Sequence, residues 1–312
     1  MPKIKIQITR NLVQVIDIDR PITLGRGKEA DLVILDQLVS RRHVTLTSMD
    51  GSVVLEDLDS ANGTFVNKVR VHSQLLEHGD RIEIGKTQIL YSTEEREMPL
   101  RMVDLTGTET LADYDPEELA SEPDIQYKFL TVDEIARELV VLSGRMLRKT
   151  SLAEEAIAQF EIGMGEAIGN AVRHGHKYQK DKIIKYRWTR TPDRVLVRVE
   201  DTGPGFDYRA AIQKGLELDA ASAARKRHAE GGMGGLGILM MLRCVDRVEY
   251  NRLGNEVTLT KFLTDSARQD EDDTSPGALR PEPGPATTAE EPPLDETYLA
   301  DLTREGDLPA AE

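Results

Sequence analysis

From residue 3 to residue 92, apolar and polar positions alternate in short runs: Ile4, Ile6 and Ile8, then Val53 and Leu55, then Ile82 and Ile84. Turn residues punctuate them at Asp50-Gly51, Asn62-Gly63 and His78-Gly79-Asp80. A period of two broken by turns predicts an antiparallel β-sandwich with no helix of note. Large apolar residues then thin out until residue 124, which predicts a flexible linker over 96–124. At Thr131 the period changes. Thr131-Val132-Asp133-Glu134 and Ser151-Leu152-Ala153-Glu154 both have capping-box form. Each leads a helical stripe: Ile135, Leu139, Leu142 and Met146 in the first, and Ile157, Phe160, Met164, Ile168 and Val172 in the second. Strands are expected over 182–190 and 194–200, an apolar helix over 238–244, and a closing hairpin that turns at Gly254-Asn255. This mixture predicts an α/β sandwich with helices laid on one sheet. The 312 residues thus divide into a sandwich over 1–95, the linker, an α/β domain over 125–263 and a remainder.

Charge sharpens these boundaries. The chain carries a formal −15, yet 92–124 holds 11 acids against 2 bases and 264–312 holds 14 against 3. The two folded modules are therefore mildly basic, as suits proteins that bind phosphate. The last segment also has 7 prolines among 49 residues, which predicts a disordered acidic tail. The single cysteine, Cys244, excludes an intramolecular disulfide or a Cys-rich zinc site and sits in an apolar run where a buried thiol is at home. No apolar run approaches the roughly 20 residues of a membrane span, and the start lacks a secretory signal, so a cytoplasmic protein with no membrane partner is expected.

Four motifs fall in loops of the sandwich: Gly25-Arg26, Ser40-Arg41-Arg42-His43, Asn62-Gly63-Thr64 and Asn67. Loops at one end of a sandwich converge. Arg26 and Arg41 offer cations for phosphate oxygens, Ser40 a hydroxyl donor and Asn62 an amide for a peptide backbone. The ordered set resembles the forkhead-associated (FHA) domain. The resemblance implies a phosphothreonine reader with Arg26, Ser40, Arg41 and Asn62 at the phosphopeptide-contacting positions and His43 in the scaffold. Ala61 stands where many members have Ser or Thr, a departure that bears on affinity more than on identity. No nucleophile with a nearby base accompanies the arginines, so this module should bind and not react.

In the second module Glu166 and Asn170 lie one helical turn apart, off the apolar stripe. An Asn oxygen suits Mg²⁺ shared with nucleotide phosphates, and a carboxylate one turn earlier can deprotonate an attacking hydroxyl. Asp201 closes a strand and is followed by Thr202-Gly203-Pro204-Gly205; its carboxylate can accept the exocyclic amine of adenine while Gly203 and Gly205 let the backbone approach the base. Gly231-Gly232-Met233-Gly234-Gly235-Leu236-Gly237 leads into a helix and can present N–H groups to phosphates, though no Gly-Lys-Ser or Gly-Lys-Thr follows. In this order the three boxes resemble those of the GHKL, or Bergerat-fold, ATPases, and the approach to the first box resembles the anti-sigma-factor serine kinases. The resemblance implies ATP and Mg²⁺ as cofactors, Glu166 as general base, Asn170 on the metal, Asp201 on adenine, and Gly203, Gly205, Gly235 and Gly237 framing a lid over 208–230. Arg173 and His174 read equally as phosphate-side or structural positions. Sensor histidine kinases share this ATPase, but no phosphoacceptor His on a helix precedes it here.

The sequence therefore predicts an FHA domain fused to an ATPase that phosphorylates Ser or Thr of a partner. That partner would be a small antagonist protein, with a sigma factor as a second partner and a homodimer admitted. The alternative is a regulator that holds partners according to nucleotide and transfers nothing. Nucleic acid is disfavoured by the negative charge. Thr110, followed three residues on by Asp113, is a candidate ligand in cis for the chain's own FHA domain.

Overall fold

The computed structural model describes residues 1–264 except 10, 50, 94–99, 109, 112–113, 120 and 213–235. The predicted tail, 264–312, lies outside the described residues from 265 onward, as does most of the predicted lid.

The alternating amino-terminal runs become eleven strands: β1 (Lys3–Thr9), β2 (Leu12–Asp17), β3 (Ile22–Gly25), β4 (Leu32–Val33), β5 (Val44–Met49), β6 (Ser52–Asp57), β7 (Thr64–Val66), β8 (Val69–Val71), β9 (Ser73–Leu76), β10 (Arg81–Ile84) and β11 (Thr87–Ser92). They form two layers, β2-β1-β11-β10-β7-β8 over β4-β3-β5-β6-β9. Ile4, Ile6, Leu24, Leu46, Leu55, Ile82 and Tyr91 fill the space between them, one face of each alternating strand.

The second domain comprises β12 (Arg101–Asp104), α1 (Pro116–Leu119), β13 (Asp124–Leu130), α2 (Asp133–Leu147), α3 (Glu154–Asn170), a π-helical turn (Ala171–Gly175), β14 (Ile183–Arg190), β15 (Arg194–Asp201), α4 (Leu236–Cys244), β16 (Arg247–Asn251) and β17 (Glu256–Phe262). Its strands run in the order β12-β13-β14-β15-β17-β16, antiparallel except for β12 on β13. The predicted stripes of α2 and α3 are buried throughout and pack with Cys244 and Trp188 in one core. The Tyr186 hydroxyl, fully buried, meets Ser143 Oγ at 2.6 Å and so brings no unsatisfied polar group into that core.

Three expectations are corrected. Neither capping box forms: α2 and α3 start at Asp133 and Glu154 without a side-chain cap, because the Thr131 hydroxyl is used by Lys182 and His176 and the Ser151 hydroxyl by the Leu263 carbonyl. The segment 96–124 is not a free tether along its length. Its strand β12 extends the sheet, and Val103, Leu105, Leu111 and Leu119 are buried in the ATPase core. The third concerns independence. Strand β16 pairs in parallel with β2 (Val248 opposite Leu12, Asn251 opposite Val15), joining both domains into one twelve-stranded sheet. Lys5 Nζ meets Glu249 Oε1 at 2.8 Å across this seam, Asn11 Nδ2 donates to the Leu242 carbonyl at 2.6 Å, and Arg209 donates to the Gln14 side-chain oxygen. No described helix is long and apolar enough to cross a membrane.

Candidate functional site

At the end of the sandwich the loops are locked by their own backbone. Arg26 N–H donates to the Ser40 carbonyl (2.9 Å) and Gly27 N–H to the Arg41 carbonyl (3.0 Å). A Cβ on Gly25 would run into that same Arg41 carbonyl, which explains the glycine. His43 is fully buried: Nδ1 accepts from Ser40 N–H at 3.0 Å and Nε2 donates to the Gly63 carbonyl at 3.1 Å, tying the 40–43 loop to the 60–64 loop. It is scaffold, as expected. Ser40 Oγ accepts from Ala61 N–H (3.0 Å), which leaves its hydroxyl hydrogen to donate outward. Asn62 Nδ2 donates to the Leu38 carbonyl (2.6 Å) and keeps its side-chain oxygen available. Asn67 is a turn residue at φ 50°, bridging Asp80 and Arg81 N–H. The side chains of Arg26 and Arg41 are exposed and take no hydrogen bond or ion pair among the described residues. The structure thus brings Arg26, Ser40, Arg41 and Asn62 to one end of the sandwich as unneutralised cations beside free polar groups, a surface suited to a phosphorylated peptide.

In the second domain Glu166 and Asn170 project from the last turns of α3 toward the start of α4, and Asn170 also lines a pocket with Asp201. Gly237, at the start of α4, lies over them: a Cβ there would sit 2.7 Å from Glu166 Oε2. The first described turn of α4 therefore faces the two side chains, a setting that favours phosphate. Arg173 Nη2 stands 3.2 Å from Glu166 Oε2 and 3.4 Å from Asn170 Oδ1, so it engages both. His174 is exposed.

Asp201 ends β15 with 8% of its surface accessible. One carboxylate oxygen accepts from Gly203 N–H at 2.7 Å, and the other has no hydrogen-bond partner among the described residues. Burial, aided by the nearby Glu200, pushes its carboxyl up to about 6. It lines a narrow pocket of about 20 Å³ with Asn170, Ala171, Val199, Phe206, Tyr250 and Val257. Apolar walls with one unsatisfied carboxylate suit a flat heteroaromatic base bearing an amine. The turn between β16 and β17 holds Asp201 from behind: Asp201 N–H donates to the Asn255 carbonyl (2.9 Å) and Asn255 Nδ2 to the Asp201 carbonyl (3.1 Å).

Gly203 and Gly205 serve a different contact from the one expected. A Cβ on Gly203 would strike the Gly175 carbonyl, and one on Gly205, at φ 75°, the Leu253 carbonyl. They allow protein backbone to approach. Tyr208, expected to open the lid, is buried and stacked on Tyr250 with ring centroids 4.6 Å apart. Gly235 lies outside the described residues. Thr110 donates to Glu138 Oε1 at 2.8 Å and Leu111 is buried beside it, so this segment belongs to the ATPase core and is not a free ligand for the sandwich. Sequence reasoning missed the pairing of Arg173 and the buried His176, whose contacts reach 26 and 45 residues along the chain.

The donor set accommodates Mg²⁺ in one way. Among the described residues no cluster of three or more His, Cys, Asp or Glu side chains could cage a metal. Asn170 can supply one hard oxygen, with phosphate oxygens and water completing the shell.

A sandwich whose converging loops carry Arg26, Ser40, Arg41 and Asn62, joined to helices laid on a mixed sheet, has the architecture of an FHA domain coupled to a GHKL-type ATPase domain. Comparison with known proteins agrees. Residues 22–85 match the FHA domain and 132–261 the histidine kinase-like ATPase domain. The serine-protein kinase RsbW of Listeria monocytogenes is 30% identical over 125 residues, 40% of this chain and 76% of that protein. The oxoglutarate dehydrogenase inhibitor of Corynebacterium diphtheriae is 41% identical over 75 residues, 24% of this chain and 52% of that protein. A crystal structure of the FHA domain of FhaA is 29% identical, covering 29% of this chain and 99% of that one with a TM-score of 0.27. The chain spans about half the length of the inhibitor it matches in its first domain. It belongs, through its second domain, to the histidine kinase-like ATPase family of the RsbW type.

Proposed function

We propose that the chain binds a phosphothreonine-bearing protein through Arg26, Ser40, Arg41 and Asn62, and uses Mg-ATP to phosphorylate a Ser or Thr of a small protein of the anti-sigma-antagonist class. The observation that supports it best is that Asn170 lines one pocket with the buried, half-satisfied carboxylate of Asp201 and, through Arg173 and the start of α4 at Gly237, neighbours the carboxylate of Glu166. Asp201 accepts the adenine amine, Asn170 holds the cation, and Glu166 takes the proton of the attacking hydroxyl. Bound Mg²⁺ would neutralise charge on the phosphates. Glu166 engages Arg173 in this arrangement, so the base is held in position and can exchange that partner for the acceptor hydroxyl.

The test is labelled ATP and Mg²⁺ with lysate fractions from the protein's own cell, wild type against Glu166→Gln. One labelled small protein is expected, with transfer lowered by about 10² or more and ATP affinity unchanged in the variant. A partner that binds according to nucleotide and is never labelled would replace the kinase with a nucleotide-gated binding protein. For the sandwich, calorimetry with a phosphothreonine peptide and its unphosphorylated twin is expected to show binding of the first only, abolished in Arg26→Ala. Equal affinity for both would remove the reader assignment.

A further inference from the structure

We propose that His176 is a positioning residue for nucleotide selectivity: its imidazole fixes the backbone that aims Asp201, and so sets discrimination between adenine and guanine. The inference rests on Asp201 as the base-reading group. His176 is 3% exposed and sits directly after the π-helical turn, closed by its own N–H to the Ala171 carbonyl at 2.8 Å. Both ring nitrogens are in use. Thr202 N–H donates to Nε2 at 3.0 Å, so Nε2 is the unprotonated acceptor and the proton belongs on Nδ1. Nδ1–H then donates to Thr131 Oγ1 at 2.8 Å, and the Thr131 hydroxyl donates onward to the Lys182 carbonyl at 3.1 Å. Burial lowers the basicity of the ring and keeps it neutral, which this pattern requires.

The chain of bonds has a direction, and it ends on the residue following Asp201. Thr202 is exposed, and its N–H is held by the imidazole while Gly203 N–H is held by the Asp201 carboxylate itself. The peptide planes on either side of Thr202 are thus fixed, one from outside and one by the reading group. On the other flank the π-helical turn presses Gly175 against the Asp201 carboxylate, whose Oδ2 lies 2.6 Å from where a Cβ would be. A carboxylate so constrained presents an acceptor to the base edge. Adenine offers an amine at its six position, and guanine offers a carbonyl there that a carboxylate repels. Loosening the mount lets the carboxylate turn away, which costs ATP its hydrogen bond and relieves GTP of its repulsion. A role in stability alone would weaken both nucleotides alike.

The experiment measures ATP and GTP affinity calorimetrically on the full chain, with thermal melting to confirm folding. His176→Phe keeps an aromatic ring and removes all three hydrogen bonds of the imidazole, to Thr131 Oγ1, Thr202 N–H and Thr202 Oγ1; His176→Gln can place its amide oxygen as an acceptor for Thr202 N–H. The Phe variant is expected to lose at least tenfold in ATP affinity with the ATP:GTP ratio narrowed at least fivefold, and Gln to restore the ratio to within threefold of wild type. Should Phe fail to fold, Thr131→Val against Thr131→Ser asks the same question from the far end. Val leaves Nδ1–H without an acceptor and is expected to narrow the ratio, whereas Ser keeps it. An unchanged ratio in folded Phe or Val variants, or equal losses for both nucleotides, overturns the proposal. Asp201→Asn is the reference: if it discriminates as wild type does, the assignment of Asp201 itself fails, and the inference about His176 falls with it.

Discussion

Asp201 combines two requirements that oppose each other. In its proposed role it must be ionised to accept the adenine amine, yet burial disfavours its charge and raises its carboxyl to about 6. A folded-state value above the unfolded one means that the folded protein keeps this proton while the unfolded chain has already released it near 4. The group's contribution to stability is therefore greatest below about pH 4 and is lost as pH rises through about 6. ATP selects the ionised form and runs the other way. Its affinity is expected to rise between pH 5 and 7 and to level off above, and Asp201→Asn to flatten the profile and weaken binding at pH 7.5 by at least tenfold, about 1.4 kcal/mol. A wild-type profile already flat from pH 5, measured by calorimetry, would place adenine recognition elsewhere.

At the scale of elements, the helical glycines separate by what surrounds them. Gly165, on the open face of α3, has no atom within 4 Å of the position a Cβ would take, so Gly165→Ala is expected to raise stability by about 0.5–1 kcal/mol through helix propensity and leave ATP affinity unchanged. Gly175, in the π-helical turn, would drive a Cβ into the Asp201 carboxylate, and Gly175→Ala is expected to abolish ATP binding while the chain still melts cooperatively. Comparable ATP affinities in the two variants would show that the turn does not shape the pocket. The same contrast marks what was legible in the sequence. The stripes of α2 and α3, strands β14 and β15 and the closing hairpin follow from period, since each buries one face. Glu166, Asn170 and Asp201 were legible because their boxes have fixed local spacing. Strand β12 was not: of Arg101-Met102-Val103-Asp104 only Val103 is buried, an edge strand that composition reads as linker. Nor were the caps, because Thr131 and Ser151 spend their hydroxyls on partners 51 and 112 residues away, which no local pattern encodes. The mounting of Asp201 by His176 is long-range in the same sense.

At the scale of the molecule, the union of β2 with β16 makes each domain cover an edge that would otherwise be unpaired in the other. The backbone ladder is reinforced by the Lys5–Glu249 ion pair, with Arg247 also 3.9 Å from the same carboxylate oxygen. Burial opposes ionisation of Glu249, but Lys5, Arg247 and Arg198 together hold its carboxyl below the usual range. A depressed folded-state value gives stability that is present above the ordinary carboxylate range and is lost as pH falls through the lowered one. The pair is largely shielded, with side-chain exposures of 28% for Lys5 and 12% for Glu249, so salt should screen it less than a surface pair. Removing the carboxylate leaves two cations facing each other at the seam, a change expected to cost about 2 kcal/mol, below the range for a fully buried pair broken on one side because Lys5 retains some water. The consequence extends beyond stability. A continuous sheet transmits unfolding from one domain to the other, so residues 1–264 should melt at pH 7 in one calorimetric transition. Glu249→Ala is expected to split that transition in two, and the wild type to do the same as pH is lowered below the ordinary carboxylate range. Arg252 Nη2, which donates to the Asp31 carbonyl at 2.8 Å, would still tie the β16–β17 hairpin to the loop that carries Arg26. A single, unshifted transition in Glu249→Ala would mean that the ladder, with the Asn11 and Arg209 hydrogen bonds, binds the domains and that the ion pair is incidental to it.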